Sequence, residues 1–194
     1  STPIKSSAAS DVYKRQDPGS EYPDTLDRKL LELGLVPKFI VLTHEHFDHV
    51  WGCNALVQKY HSKIICSAVC SEAIQDAKRN HSMFYNQKGF VLPPADICVE
   101  DINWTWPWND ERIIFFGAEG HTDAGICFKI KNYLFTGDTL LKDLRTVTKL
   151  FCGSREKLLV TINSIKEMQG RGLYVCPGHG DGFELDDYDL NKAL

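Results

Sequence analysis

The run Thr43-His44-Glu45-His46-Phe47-Asp48-His49 places three imidazoles and two carboxylates side by side. Neutral imidazole nitrogens and carboxylate oxygens are zinc donors, binding at about 2.0 to 2.2 Å. His44 and His46 are two residues apart, so on extended backbone their side chains leave the same face. Asp48 and His49 carry the loop on toward a second position. The apolar run Phe39-Ile40-Val41-Leu42 stands directly before them and reads as a buried strand. Such a strand is a rigid platform that holds donors at its C-terminal end. The chemistry implied is metal-assisted hydrolysis: two divalent ions about 3.5 to 4 Å apart make a shared water acidic enough to supply hydroxide at neutral pH, and polarise a carbonyl for attack.

Three later fragments share one form, in which a strand runs into a glycine-containing turn and then a donor. They are Phe115-Phe116-Gly117-Ala118-Glu119-Gly120-His121-Thr122, Leu134-Phe135-Thr136-Gly137-Asp138-Thr139 and Tyr174-Val175-Cys176-Pro177-Gly178-His179-Gly180. Glycine beside each donor lets the backbone turn sharply and approach a metal closely. A shared site at one sheet edge is the economical account. Each residue alone reads as a hydrogen-bonded core histidine or a turn aspartate. Those readings would have to hold at seven positions together. His61 and His81 fall outside the pattern and are expected as ordinary surface or core histidines. Glu45 is expected to face away from the donors, and Asp123 to be a turn former rather than a partner that fixes an imidazole. Lys142, Arg145 and Lys149 follow Asp138; they are expected to be a solvated basic face rather than a carboxylate site. No G-x-G-x-x-G, G-x-x-x-x-G-K-[ST] or G-x-S-x-G occurs, which argues against dinucleotide, P-loop and serine-hydrolase chemistry.

The elements that must position these groups alternate through the first half. A helix is expected from Asp24, a strand at 39–42, a helix at 51–60, a strand at 63–66 and a helix at about 67–79. Residues 80–111 read as irregular, and the cluster Trp104-Thr105-Trp106-Pro107-Trp108 as either a substrate wall or cover for a sheet edge. Strands are expected at 112–116, 125–131, 133–136 and 172–176. A helix over 154–169 is expected to be capped by Ser154, with Leu158, Leu159, Ile162, Ile165 and Met168 on one face.

At 194 residues and 43% apolar composition the chain supports one sizeable core. A net charge of -4 gives no footprint for nucleic acid or anionic lipid, so a small-molecule substrate is expected. No apolar run is long enough to cross a bilayer and no signal segment is seen, which points to a cytoplasmic protein. Seven scattered cysteines read as reduced thiols behaving as small hydrophobes.

In order and type, His44-x-His46-x-Asp48-His49, Gly120-His121, Gly137-Asp138 and Gly178-His179 resemble the metallo-β-lactamase-fold hydrolases from Asp17 to about Gly182. The resemblance implies an α+β fold, a four-layer αββα sandwich with its site at one edge of two facing sheets. It implies that His44, His46 and His121 hold one metal and Asp48, His49 and His179 the second. Asp138 would bridge them, Asp48 would also orient the hydroxide, and the two aspartates form the catalytic pair. Two divalent ions are implied, zinc first, with iron or manganese as alternatives. An aspartate bridge is similar to the glyoxalase II (hydroxyacylglutathione hydrolase-like) type and less similar to lactamases with a cysteine there.

Larger glyoxalase II relatives carry a C-terminal helical region that grips glutathione, whereas only residues 181–194 follow Gly180. The chain is thus similar to short single-domain members. Cleavage of a small thioester or ester is expected, with lactone or β-lactam cleavage as the alternative. The diiron branch has a glutamate at the position of His46 and a flavin domain, and neither is seen. A metal-binding interaction module without activity would have lost donors, and none of the seven is lost. Members also place two or more strands before the turn at Asp17-Pro18-Gly19. Residues 1–16 lack a strand pattern and read as a disordered or foreign leader, so residues 17–194 are expected to form an N-terminally incomplete sandwich of reduced stability.

Overall fold

The computed structural model describes residues 18–19, 24–100 and 103–194, so the expected leader lies outside the described residues. In the first half, α1 (Asp24–Glu32) leads to β1 (Phe39–Val41), the one-turn α2 (Phe47–Val50), α3 (Cys53–Tyr60) and β2 (Lys63–Ser67). Two short helices, α4 (Ala68–Ala73) and α5 (Ser82–Asn86), precede β3 (Ile97–Val99). β2 pairs parallel with β1 on one side and β3 on the other. The second half is β4 (Thr105–Trp108), β5 (Glu111–Gly117), β6 (Ile126–Ile130), β7 (Tyr133–Gly137), α6 (Arg155–Lys166), β8 (Tyr174–Pro177) and β9 (Phe183–Glu184), closed by a 3-10 turn at Leu190–Ala193. These six strands lie side by side in chain order, antiparallel except for the β7–β8 pair.

Side chains alternate across a strand, so each sheet buries two faces. Ile40, Leu42 and Ile64 meet Leu26, Leu30 and Leu56 of the helices and Ile74 just beyond α4. The intervening Val41 and Ile65 look the other way, toward Ile113, Phe115, Ile126 and Phe128 of the larger sheet. That sheet's far face, with Phe116, Cys127, Leu134 and Val175, takes Leu158, Ile162 and Ile165 of α6. The layer order is helix, sheet, sheet, helix, the αββα sandwich expected.

The tryptophans belong to this packing rather than to a substrate wall. β4 is an edge strand, Phe39 lies 5.3 Å from Trp106 and 5.1 Å from Trp108, and Trp104 lies 5.4 Å from Phe115. The expected irregular stretch 80–111 also contains α5 and β3, whose pairing with β2 is a tertiary event with no local signal. The helix expected over 67–79 stops at Ala73. Beyond it the Asp76 carboxylate accepts from Lys78 N at 2.8 Å and the Asn80 amide donates to Phe90 O at 2.8 Å, turn bonds that compete with helical ones. The helix expected from 51 starts at Cys53, and the strand expected from 172 starts at Tyr174. α6 is capped by Ser154, whose hydroxyl accepts from Lys157 N, but it ends at Lys166, and Leu159 faces solvent. No disulfide joins the seven cysteines, and Cys53, Cys66, Cys70 and Cys127 are buried. No described helix is long and apolar enough to cross a membrane.

Phe115 is fully buried between the sheets, 5.7 Å from the Phe128 ring. Replacing it with alanine should cost about 3 to 5 kcal/mol in denaturant unfolding, mostly as an unfilled cavity.

Candidate metal centre

Four strand ends deliver the candidate donors. Beyond β1, Leu42 N donates to Ile65 O at 2.9 Å, and Thr43 O accepts from Ile126 N of the opposite sheet at 2.8 Å. His44 and His46 therefore emerge where the two sheets are joined. α2 begins at Phe47, whose amide donates to Asn80 O at 2.8 Å, and its single turn carries Asp48 and His49. His121 lies in the turn between β5 and β6, Asp138 follows β7, and His179 follows β8. Gly178 N donates to Gly137 O at 2.8 Å, locking the last two ends together.

Two of the glycines that space requires stand at the cluster. Gly137 has φ +49°, and a Cβ there would stand 2.3 Å from Thr43 Oγ1. A Cβ on Gly178 would stand 2.5 Å from Asp138 Oδ1 and 2.6 Å from His49 Cε1, inside the cluster itself.

All seven side chains singled out in the sequence meet. One donor atom each from His44, His46 and His121 lies within 4.8 Å of the others, and so do those of Asp48, His49 and His179. A third group of the same span, His44, His49 and Asp138, links the two. His46 Nδ1 faces His121 Nε2 at 3.0 Å, and His49 Nε2 faces His179 Nε2 at 3.1 Å. Asp138 sits between these pairs, with Oδ1 3.4 Å from His49 Nε2 and Oδ2 3.9 Å from His121 Nε2 and 3.7 Å from His179 Nε2. His121 Nδ1 donates to Val147 O at 2.7 Å, which fixes the ring with Nε2 turned inward.

The electrostatics favour a cation. Burial pushes His44 well below the ordinary imidazole value, takes His46 down to about 3, and lowers His121. Burial works to raise Asp48, but the His179 hydrogen bond and the His49 charge outweigh it and hold the carboxyl at about 2. Asp138 is likewise lowered, its burial outweighed by His49. The hydrogen bond to Asp48 raises His179. Two ionised carboxylates thus stand beside three imidazoles whose charged form burial disfavours, and buried negative charge needs a positive partner. The Nε2 atoms of His44 and His46 are buried with no hydrogen-bond partner among the described residues. This donor set fits divalent metal ions.

Two features escaped the sequence. His81, expected as ordinary, stacks on His46 with ring centroids 4.5 Å apart and planes 29° apart, and no spacing rule links them. Glu45 is only 4% exposed, and its Oε2 accepts from Thr122 Oγ1 at 3.0 Å, tying the His44–His46 segment to the residue after His121. Burial raises the Glu45 carboxyl to about 7. Asp123 lies in the turn as expected, against the Cys152 thiol. Lys142, Arg145 and Lys149 are exposed, as a solvated face requires.

Sandwich and cluster together define a protein of the αββα class with candidate His/Asp metal-binding groups at its sheet edge. The chain belongs to the metallo-beta-lactamase superfamily, whose profile matches residues 17–179. It is 30% identical over 170 residues to the probable polyketide biosynthesis zinc-dependent hydrolase BaeB of Bacillus velezensis, covering 86% of this chain and 66% of that protein. It is 27% identical to the probable metallo-hydrolase YqgX of Bacillus subtilis, covering 92% of this chain and 85% of that one. A hydroxyacylglutathione hydrolase of Serratia proteamaculans is 27% identical over 82% of this chain, and this chain spans 54% of its length. Among solved structures, the BLEG-1 B3 metallo-beta-lactamase superposes with a TM-score of 0.79 at 23% identity, covering 87% of this chain and 81% of that one. TTHA1623 in a di-iron-bound form gives 0.73 at 22% identity, covering 87% and 82%. At those identities the structures share the fold.

Two outcomes are expected. Adding zinc to chelator-treated protein should stabilise the fold by about 2.7 kcal/mol at a free concentration 100 times Kd, read as a Tm that rises with zinc concentration. Gly178→Ala should lower bound metal, read by elemental analysis, while far-UV circular dichroism stays native.

Proposed function

We propose that the chain is a binuclear metal-dependent hydrolase that cleaves a small thioester or ester. The observation that carries the reading is the place of Asp138, whose Oδ1 faces His49 and whose Oδ2 lies between His121 of one imidazole group and His179 of the other. His44, His46 and His121 would hold one ion and Asp48, His49 and His179 the other, with Asp138 offering its carboxylate between them. When bound, two divalent ions, zinc or iron, lower the pKa of a water and polarise a carbonyl oxygen. The side chains do the rest. Asp48 is ionised and more exposed than Asp138, 40% against 15%, so it is placed to accept a hydrogen bond from the attacking water. His121, clamped by Val147 O, and His44, whose Nδ1 lies 3.0 Å from Thr43 Oγ1, keep their rings from turning. The named activities of BaeB and the hydroxyacylglutathione hydrolases support hydrolysis of this type.

Metal analysis with a panel of thioester, lactone and β-lactam substrates tests the proposal. Asp138→Ala and His46→Ala should each lower turnover by at least about 100-fold with loss of metal and retention of fold. Asp48→Asn should cost about 100-fold or more in kcat. Full activity in Asp138→Ala sinks the assignment. Faster turnover of a lactone or β-lactam puts the alternative substrate class first, and bound metal without turnover of any substrate leaves a metal-binding interaction module.

A further inference from the structure

The segment beside His46 is built in an unusual way. Helix α5 is flanked by two non-glycine residues with left-handed backbone, His81 at φ +65° and Gln87 at φ +62°. Such conformations are disfavoured for residues with a Cβ and persist only where the surroundings enforce them. Here a buried network does so. Asn80 donates to Phe90 O at 2.8 Å and accepts from Ser82 N at 2.9 Å, and Phe90 N donates to Ser82 Oγ at 2.9 Å. The segment is rigid, yet it holds Phe84 76% and Tyr85 64% exposed instead of burying them.

Its place explains the display. Asn80 O accepts the amide of Phe47, the neighbour of His46, and the His81 ring stacks on His46 itself. From there the aromatic surface runs outward, with Phe84 6.0 Å from His81 and Tyr85 5.0 Å from both Phe47 and Trp51. Ser82-Met83-Phe84-Tyr85 carries no charge. The loop tied to His121 through Val147 O is different, mixing exposed Leu150 and Phe151 with Lys142, Arg145 and Lys149. Among the described residues, the His46 side presents its exposed aromatic rings on a stretch without charge, unlike the basic loop beside His121.

We propose that Phe84 and Tyr85 form the acyl-binding surface of the site and that it takes an uncharged, apolar acyl group, aliphatic or aryl. This rests on the hydrolase reading above. The aromatic faces remove the acyl chain from water while its carbonyl lies at the His46–His121 end of the cluster. The charged or polar part of the substrate is left to the other side. His81 is a positioning residue that supports Phe84 from below.

The test is a series of N-acetylcysteamine thioesters carrying acetyl, butanoyl and hexanoyl groups, followed by hexanoyl thioesters of different thiols. kcat/KM should rise about tenfold or more from acetyl to hexanoyl, the increment expected from burying the added methylenes. In the double variant Phe84→Ala/Tyr85→Ala the hexanoyl-to-acetyl ratio should fall to within about threefold of unity. Both rings are exposed, so folding is preserved, which circular dichroism checks. A length effect that survives the double variant, or that follows the thiol instead of the acyl group, overturns the proposal. Calorimetry with the unreactive thioethers S-ethyl- and S-hexyl-N-acetylcysteamine separates this inference from the reaction it rests on. If no thioester is cleaved but the hexyl compound binds more tightly and the double variant abolishes that preference, the hydrolase reading fails and the acyl surface stands. If chain length matters in neither assay, the acyl surface is wrong.

Discussion

A carboxylate set among neutral imidazoles at the meeting line of two sheets is the constraint on which the structure depends. Asp138 is largely withdrawn from water and still ionised. Among the imidazoles of the cluster, burial penalises the charged form of His44, His46 and His121, while the hydrogen bond to Asp48 raises His179. Protonating the histidines would balance the charge but at the cost of desolvating each new cation. A divalent ion balances it without that cost and also takes the lone pairs that the buried nitrogens present. The cluster therefore makes physical sense as a metal-binding arrangement, and the backbone around it is organised to hold donors that repel one another when no cation lies between them.

That organisation comes from packing two sheets so that their ends coincide. The bond from Ile126 N to Thr43 O joins the sheets beside His44, and the bond from Gly178 N to Gly137 O joins the ends that carry Asp138 and His179. Glu45 and Thr122 add a buried link between the His46 and His121 segments. Ser67 Oγ donates to Ala124 O at 2.7 Å and secures the same turn from the other side. Each link joins residues far apart in the chain, so the donor geometry is as rigid as the inter-sheet core of Val41, Ile65, Phe115 and Phe128.

Much of this was legible in the chain. The alternation of β1, with Ile40 and Leu42 on one face and Val41 on the other, follows from a period of two in apolar residues that both faces bury. The candidate donors were legible because metal chemistry restricts residue types so strongly that His44, His46, Asp48 and His49 stand out before any fold is known. Other features were not. β3 and β4 carry weak local signals and exist because β2 and β5 offer them edges. Leu159 fits the helical apolar period and still faces solvent, since the period fixes an angular stripe but not how far the neighbouring layer reaches.

What the sequence alone determined is the chemistry: a set of histidines and aspartates, each next to a glycine turn or within one short run, together with the strands that precede them. Local composition suffices there, because donor type and backbone turning are properties of single residues and their immediate neighbours. Tertiary structure decided which donors face which. It set Asp138 between two imidazole groups, brought His81 onto His46, and turned Phe84 and Tyr85 outward beside the cluster. Those relations depend on distances between segments separated by tens of residues, which are fixed only when the two sheets close on a common core.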